Sequence, residues 1–148
     1  VLKNWEALKL VEKSQKSETE SMQSIPRLLP ALLRAEKVQK KAARVGFDWS
    51  DATGTFDKIA EETEELRQAS QKQMEEELGD LLFSVVNTAR CLHVDPEQAL
   101  TGASDKFIRR FSLMEQAAKA QKLELSDVSP EQLEAFWNRT KAEEMKKS

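Results

Sequence analysis

Long hydrophobic runs are missing from this 148-residue chain. None approaches the roughly 20 apolar residues that a membrane-spanning helix needs, and no signal-peptide pattern opens the sequence. Cysteine is represented by Cys91 alone and histidine by His93 alone. An internal disulfide is thereby excluded, as is a zinc site of His/Cys type, which leaves oxygen ligands for any metal chemistry. Cys91 sits near the end of an apolar helical pattern, where packing is its expected role rather than nucleophilic chemistry. No sign of charge dominates, since 23 basic and 26 acidic residues give a net charge of −3. A uniformly basic face is therefore not indicated, and no nucleic-acid partner is expected. The phosphate loop GxxxxGK(S/T), the GxGxxG turn and any Ser/His/Asp order are absent as well. A phosphate-handling site would have to be built from metal and side chains. The reading that fits these absences is a soluble cytoplasmic protein that spans no membrane.

What is present is a chain 39% hydrophobic and 33% charged, too apolar for disorder and long enough for one self-sufficient domain over residues 1–148. It begins at Val1, and a helical pattern is already running by Trp5, so a piece of a longer two-domain protein is expected. The four glycines and four prolines fall mostly at apparent boundaries, and no stretch shows the alternation of a half-buried strand. The patterning predicts an all-α bundle of about five to six helices. The first covers about residues 4–16, and the polar residues 17–25 read as a mobile linker. Ile25-Pro26-Arg27 opens a second helix, with Leu28, Leu29, Leu32, Leu33 and Val38 apolar, which stops before Gly46. The third runs over about 55–69 with Phe56, Ile59, Ala60 and Leu66 as its core stripe. The fourth runs over about 71–92 with Met74, Leu78, Leu81, Leu82, Val85 and Ala89 at helical spacing. Asp95-Pro96-Glu97 and Ser129-Pro130-Glu131 are start signals for helices reaching about residues 121 and 145. Short connections favour antiparallel neighbours, and the length of the helices suggests a homo-oligomer.

Two acidic clusters stand out, around Glu61-Glu62-Thr63-Glu64-Glu65 and Glu75-Glu76-Glu77-Leu78-Gly79-Asp80. Glu62 with Glu65, and Glu77 with Asp80, are three residues apart and share a helix face. Glu62 and Glu77 border the apolar stripes, so an antiparallel hairpin would bring four carboxylates to the edge of its interface. Carboxylates gathered in this way repel unless a cation sits among them, and magnesium suits such oxygen donors. Spacing alone favours a solvated acidic face, and the border positions of Glu62 and Glu77 shift the balance toward a metal site. Gly79, inside a strong helix, suggests the close approach of another group. Lys106 and Arg110 form an i, i+4 basic pair suited to a polyphosphate or to ordinary surface ion pairs. Trp137 suits a stacked base or core filling, and Trp49 is similarly ambiguous.

With these residues in view, the chain resembles the MazG family of all-α nucleotide pyrophosphohydrolases, in particular the C-terminal domain of its two-domain bacterial members. The resemblance runs through NWEALK, IPRLLPALLRAEKVQKKAARVGFDW, EETEEL, EEELGDLLFSVVNTAR, DPEQAL and KFIRRF to the tryptophan near the end. The family's EExxE…ExxD signature falls on Glu61, Glu62, Glu65, Glu77 and Asp80. The resemblance implies Mg2+, with Mn2+ as a possible substitute, held by Glu62, Glu65, Glu77 and Asp80, with Glu61 or Glu76 supporting. It implies attack of water on the α-phosphate of a (d)NTP, releasing pyrophosphate and the nucleoside monophosphate. It places Lys106 and Arg110 at the phosphates, Trp137 at the nucleoside and Lys9 in the substrate site, in a homodimer or dimer of dimers. Gln73 departs from the family, replacing a lysine found in some relatives, which would weaken phosphate or acid contacts without removing the metal site. The alternative reading is a non-catalytic helical nucleotide-sensing or protein-interaction domain.

Overall fold

The computed structural model describes residues 17–148, which hold six α-helices, one 3-10 helix and no strand. The chain is all-α, as its periodicity predicts. It divides into two compact units, one ending at Glu97 and one covering Gln98–Ser148. The expected first helix and Lys9 lie outside the described residues.

The first unit opens with α1, Glu18–Gln23, in the segment read as a mobile linker. Ser17 caps it by accepting the Glu20 amide at 3.1 Å, and Glu18 and Glu20 sit in its positive first turn. The Ser-x-x-Glu signal was in the sequence but was masked by the segment's polarity. The second helix, α2, is Ala31–Ala43 and starts six residues later than Ile25-Pro26-Arg27 suggests. A helix begun at Ile25 would place the Pro30 ring against the carbonyl of Pro26, four residues back, with no amide to bond it. Leu28, expected on the apolar face of that helix, is instead fully exposed. Pro30 offers α2 no capping side chain. Glu97 supplies the cap from 65 residues away, its Oε1 accepting the amides of Leu32 at 3.1 Å and Leu33 at 3.4 Å. The helix ends near Gly46, whose φ of 86° suits a residue without a Cβ.

Helix α3 is Ala52–Gln68, capped by Asp51, whose Oδ1 accepts the amides of Thr53 at 2.9 Å and Gly54 at 3.3 Å. Gly54 is required by packing, because a Cβ there would lie 2.8 Å from the Trp49 ring. After residues 69–73, α4 (Met74–Cys91) packs along α3 and also against α2. The apolar stripe of α4 is divided within this chain: Leu81 and Ala89 are partly buried, whereas Leu78 is 47% and Leu82 49% exposed, with Met74 and Val85 similar. Ser84, Val86 and Thr88 are the buried positions instead, because α2 and α3 meet α4 on the adjacent face. On α3, Phe56 is likewise half exposed, while Thr55 and Glu62 are buried.

Helix α5, Pro96–Ala120, begins in the first unit and runs through the second. The second unit then turns through the 3-10 helix Leu125–Asp127 into α6, Pro130–Lys147. Ser129 and Gln132 cap α6 reciprocally, as Ser129-Pro130-Glu131 predicts. Met114, Ala118, Val128 and Phe136 form the core of this unit, with Leu123, Leu125, Leu133 and Trp137 packed against it.

Removing the Glu97 carboxylate leaves two first-turn amides of α2 without their acceptor. Glu97→Ala is expected to lower unfolding free energy by about 1 kcal/mol in urea titrations followed by circular dichroism. An unchanged midpoint would show that the cap contributes nothing.

Candidate metal centre

Along α3, Thr55, Ile59, Glu62 and Leu66 recur at intervals of four, three and four residues, the repeat that keeps one face turned inward. Glu62 therefore lies within the buried stripe rather than at its border, and it is 5% exposed. On α4 the corresponding acids are Glu77, partly buried, and Asp80, exposed. One carboxylate oxygen each from Glu62, Glu77 and Asp80 lie within 4.8 Å of one another, and so do oxygens of Glu61, Glu62 and Glu65. Glu62 belongs to both groups and joins the acids of the two helices. Glu76 belongs to neither.

The electrostatics centre on the same residue. Lys58, one turn earlier on α3, places Nζ 2.6 Å from Glu62 Oε1 and 3.0 Å from Glu61 Oε1. That ammonium holds Glu62 below the usual carboxylate range against the opposing effect of burial, and Glu62 and Glu61 in turn raise the Lys58 pKa. Glu65 moves the other way, its pKa raised by the Glu62 carboxylate beside it and, more weakly, by Glu77. The second oxygen of Glu62, Oε2, is buried with no hydrogen-bond partner. A buried carboxylate oxygen in that state is costly. An all-oxygen donor set with one buried, unpartnered oxygen at its centre suits a hard divalent cation.

Gly79 does not mark a close approach, since a Cβ built there meets nothing within 4 Å. Gln73 stands just before α4, and its Oε1 accepts from the Ser70 hydroxyl at 2.7 Å. In the second unit Lys106 is exposed. Arg110 donates from Nε to Glu144 at 2.5 Å, and Arg109 donates to the other oxygen of the same carboxylate at 3.0 Å. The two guanidinium groups hold Glu144 below its ordinary pKa, Arg110 most strongly. Trp137 packs on the core and lies 5.1 Å, centroid to centroid, from Phe107. Phe107 in turn stacks with Phe111 at 6.1 Å.

Two features escaped sequence reasoning. Lys58 was detectable, because a lysine four residues before a glutamate on a helix meets it. The other is Arg90, whose guanidinium binds Asp48 through both terminal nitrogens, at 2.6 and 3.1 Å, and also bonds Gln39 and Asn87. Gln39 is buried and donates to the Phe83 carbonyl at 2.9 Å. This network ties the GFDW loop to α2 and α4 across 42 residues of sequence, a distance at which local spacing gives no signal.

The family model of the MazG nucleotide pyrophosphohydrolase domain matches residues 51–114. The nucleoside triphosphate pyrophosphohydrolase of Escherichia coli K12 is 44% identical over 151 residues, covering 98% of this chain and 57% of that protein. The nucleoside triphosphate pyrophosphohydrolase/pyrophosphatase MazG of Thermotoga maritima is 44% identical over 140 residues, covering 94% of this chain and 54% of that protein. The uncharacterized protein YabN of Bacillus subtilis is 44% identical over 149 residues, which are 30% of its length. The chain thus spans little more than half the length of the E. coli and T. maritima relatives.

Because open space surrounds Gly79, Gly79→Ala should stabilise the chain by up to about 1 kcal/mol in chemical denaturation; a loss of stability would reveal a hidden contact. The Asp48–Arg90 pair sets a pH dependence. Arg90 depresses the Asp48 pKa below its ordinary value of 3.8, so the unfolded state takes up this proton first as pH falls. The pair's stabilisation is therefore complete well above pH 3.8 and is lost as pH drops through the lowered folded value. Asp48→Asn should cost roughly 1–3 kcal/mol near neutral pH, and its deficit against the wild type should shrink below pH 3.8. A deficit independent of pH would exclude the ion pair as its source.

Proposed function

We propose, for a chain that carries a MazG nucleotide pyrophosphohydrolase domain over residues 51–114, that it hydrolyses (d)NTPs to the nucleoside monophosphate and pyrophosphate with Mg2+. The observation that carries this reading is the buried Glu62, with its unpartnered Oε2 and its neighbours Glu77 and Asp80 on the facing helix. Similarity to proteins named nucleoside triphosphate pyrophosphohydrolase supports the substrate class.

In this reading Glu62, Glu65, Glu77 and Asp80 would hold Mg2+ (Mn2+ substituting), with Glu61 in support. When bound, the ion would neutralise developing phosphate charge and lower the pKa of a water for attack on the α-phosphorus. The chain's residues supply the rest. Glu62 and Glu77, withdrawn from bulk solvent, keep the donor oxygens in place before substrate arrives. Lys106 is a point charge for phosphate oxygens. Arg110 engages Glu144 through Nε, and its terminal amino groups remain suited to a second anion. Trp137 offers a ring face for the nucleoside, and Lys9 is a further substrate-binding residue in the same proposal.

The exposed apolar side chains Met74, Leu78, Leu82 and Val85 at helical spacing on α4 favour a homodimer or dimer of dimers that covers them. No helix among the described residues is long and apolar enough to cross a membrane, and a cytoplasmic site of action completes the proposal.

The test is pyrophosphate release from a panel of NTPs and dNTPs with Mg2+ or with EDTA. Glu62→Gln and Asp80→Asn, folded by circular dichroism, should each lose activity on the order of 100-fold or more. Phosphate as the product, or no turnover anywhere in the panel, would refute the proposal and leave nucleotide sensing as the alternative.

A further inference from the structure

Glu62 and its neighbours gather several carboxylates at one helix pair, and the only cation bonded to Glu62 among the described residues is Lys58. Three details make that contact more than an ordinary helix ion pair. The ammonium reaches Oε1 of Glu62 and leaves the buried Oε2 unpartnered, so the inner side of the carboxylate still lacks a cation. It also reaches Glu61 at 3.0 Å, an acid that is 57% exposed and does not belong to the group joining Glu62 to the α4 acids. The Lys58 side chain is itself 32% exposed, and its flexible four-carbon stem can move its charge without backbone rearrangement.

We propose that Lys58 is an internal counter-ion that neutralises Glu62 in the metal-free protein and yields it to a divalent cation, with Glu61 keeping the ammonium after the exchange. This rests on the metal-centre reading above and adds a role for the first acid of the Glu61-Glu62 pair. Two cations cannot share one carboxylate without repelling each other, so each Mg2+ bound must overcome the Lys58 contact. The lysine thus weakens metal affinity while protecting the empty site from carboxylate repulsion. Glu61 lowers the barrier to exchange, because the ammonium passes between adjacent carboxylates rather than into bulk water.

The experiment uses the whole chain and Mg2+ or Mn2+ alone, without nucleotide. Calorimetric titration should show Lys58→Met binding Mg2+ roughly three- to tenfold more tightly than the wild type, since a competing, partly exposed cation has been removed. Thermal melts should show Lys58→Met less stable than the wild type in EDTA, with the deficit shrinking in saturating Mg2+. A purely structural lysine would give the same deficit in both conditions. Equal or weaker Mg2+ binding by the variant, with the wild type binding normally, overturns the counter-ion role and leaves the metal centre standing. Absence of Mg2+ and Mn2+ binding by the wild type overturns the metal centre and the counter-ion role together. If Lys58→Met fails to fold, lysine side-chain NMR of the wild type decides: the Lys58 Cε and Nζ signals should shift on adding Mg2+ and saturate with it, and unmoved signals overturn the proposal.

Discussion

The first unit is organised around one costly placement, an ionisable carboxylate buried between two packed helices. Glu62 occupies a position on α3 where the repeat of Thr55, Ile59 and Leu66 would ordinarily call for an apolar side chain. Burial alone would drive such a group toward its neutral form. Here the Lys58 ammonium opposes burial strongly enough that the pKa falls instead, so the charge is kept where it is least comfortable. The second oxygen of the same carboxylate, Oε2, stays buried without a hydrogen-bond partner, so the ammonium satisfies only part of the group.

The surrounding architecture serves to hold that pair of helices in place. Residues 69–73 fold α4 back along α3, bringing Glu77 and Asp80 to Glu62. On the other side of α4, the Arg90–Asp48 ion pair and buried Gln39 attach the GFDW loop and α2. Trp49 from that loop lies over Gly54 at the start of α3, so the same loop contacts both helices of the acidic hairpin. Glu97 caps α2 at its far end. Ion pairs and caps thus do much of the positioning in a unit whose apolar side chains are in large part turned outward.

Legibility in the sequence followed the range of the interaction. The helical class, the Gly46 stop, the Ser129-Pro130-Glu131 start and the two acid pairs were all readable, because each is set within one or two turns of chain. The start of α2 was also a local matter, but the Pro26–Pro30 spacing was outweighed by the attractive run of leucines. The short helix at Glu18–Gln23 was hidden because its cap resembles a linker in composition. The apolar stripe of α4 was legible only in part, for a different reason. Periodicity locates an apolar face, but what covers that face is decided by the neighbouring elements, and α2 and α3 take the adjacent side.

By itself the sequence determined the helical class and most of the helices, the acids that share a face within each one, and the oxygen character of any metal site, since backbone geometry and side-chain chemistry act over a few residues. Tertiary structure alone decided that Glu62 is buried, that Lys58 satisfies one of its oxygens, that Glu97 caps a distant helix and that Arg90 ties down Asp48. Those outcomes depend on which surfaces exclude water from one another, and that is fixed only when segments far apart along the chain pack together.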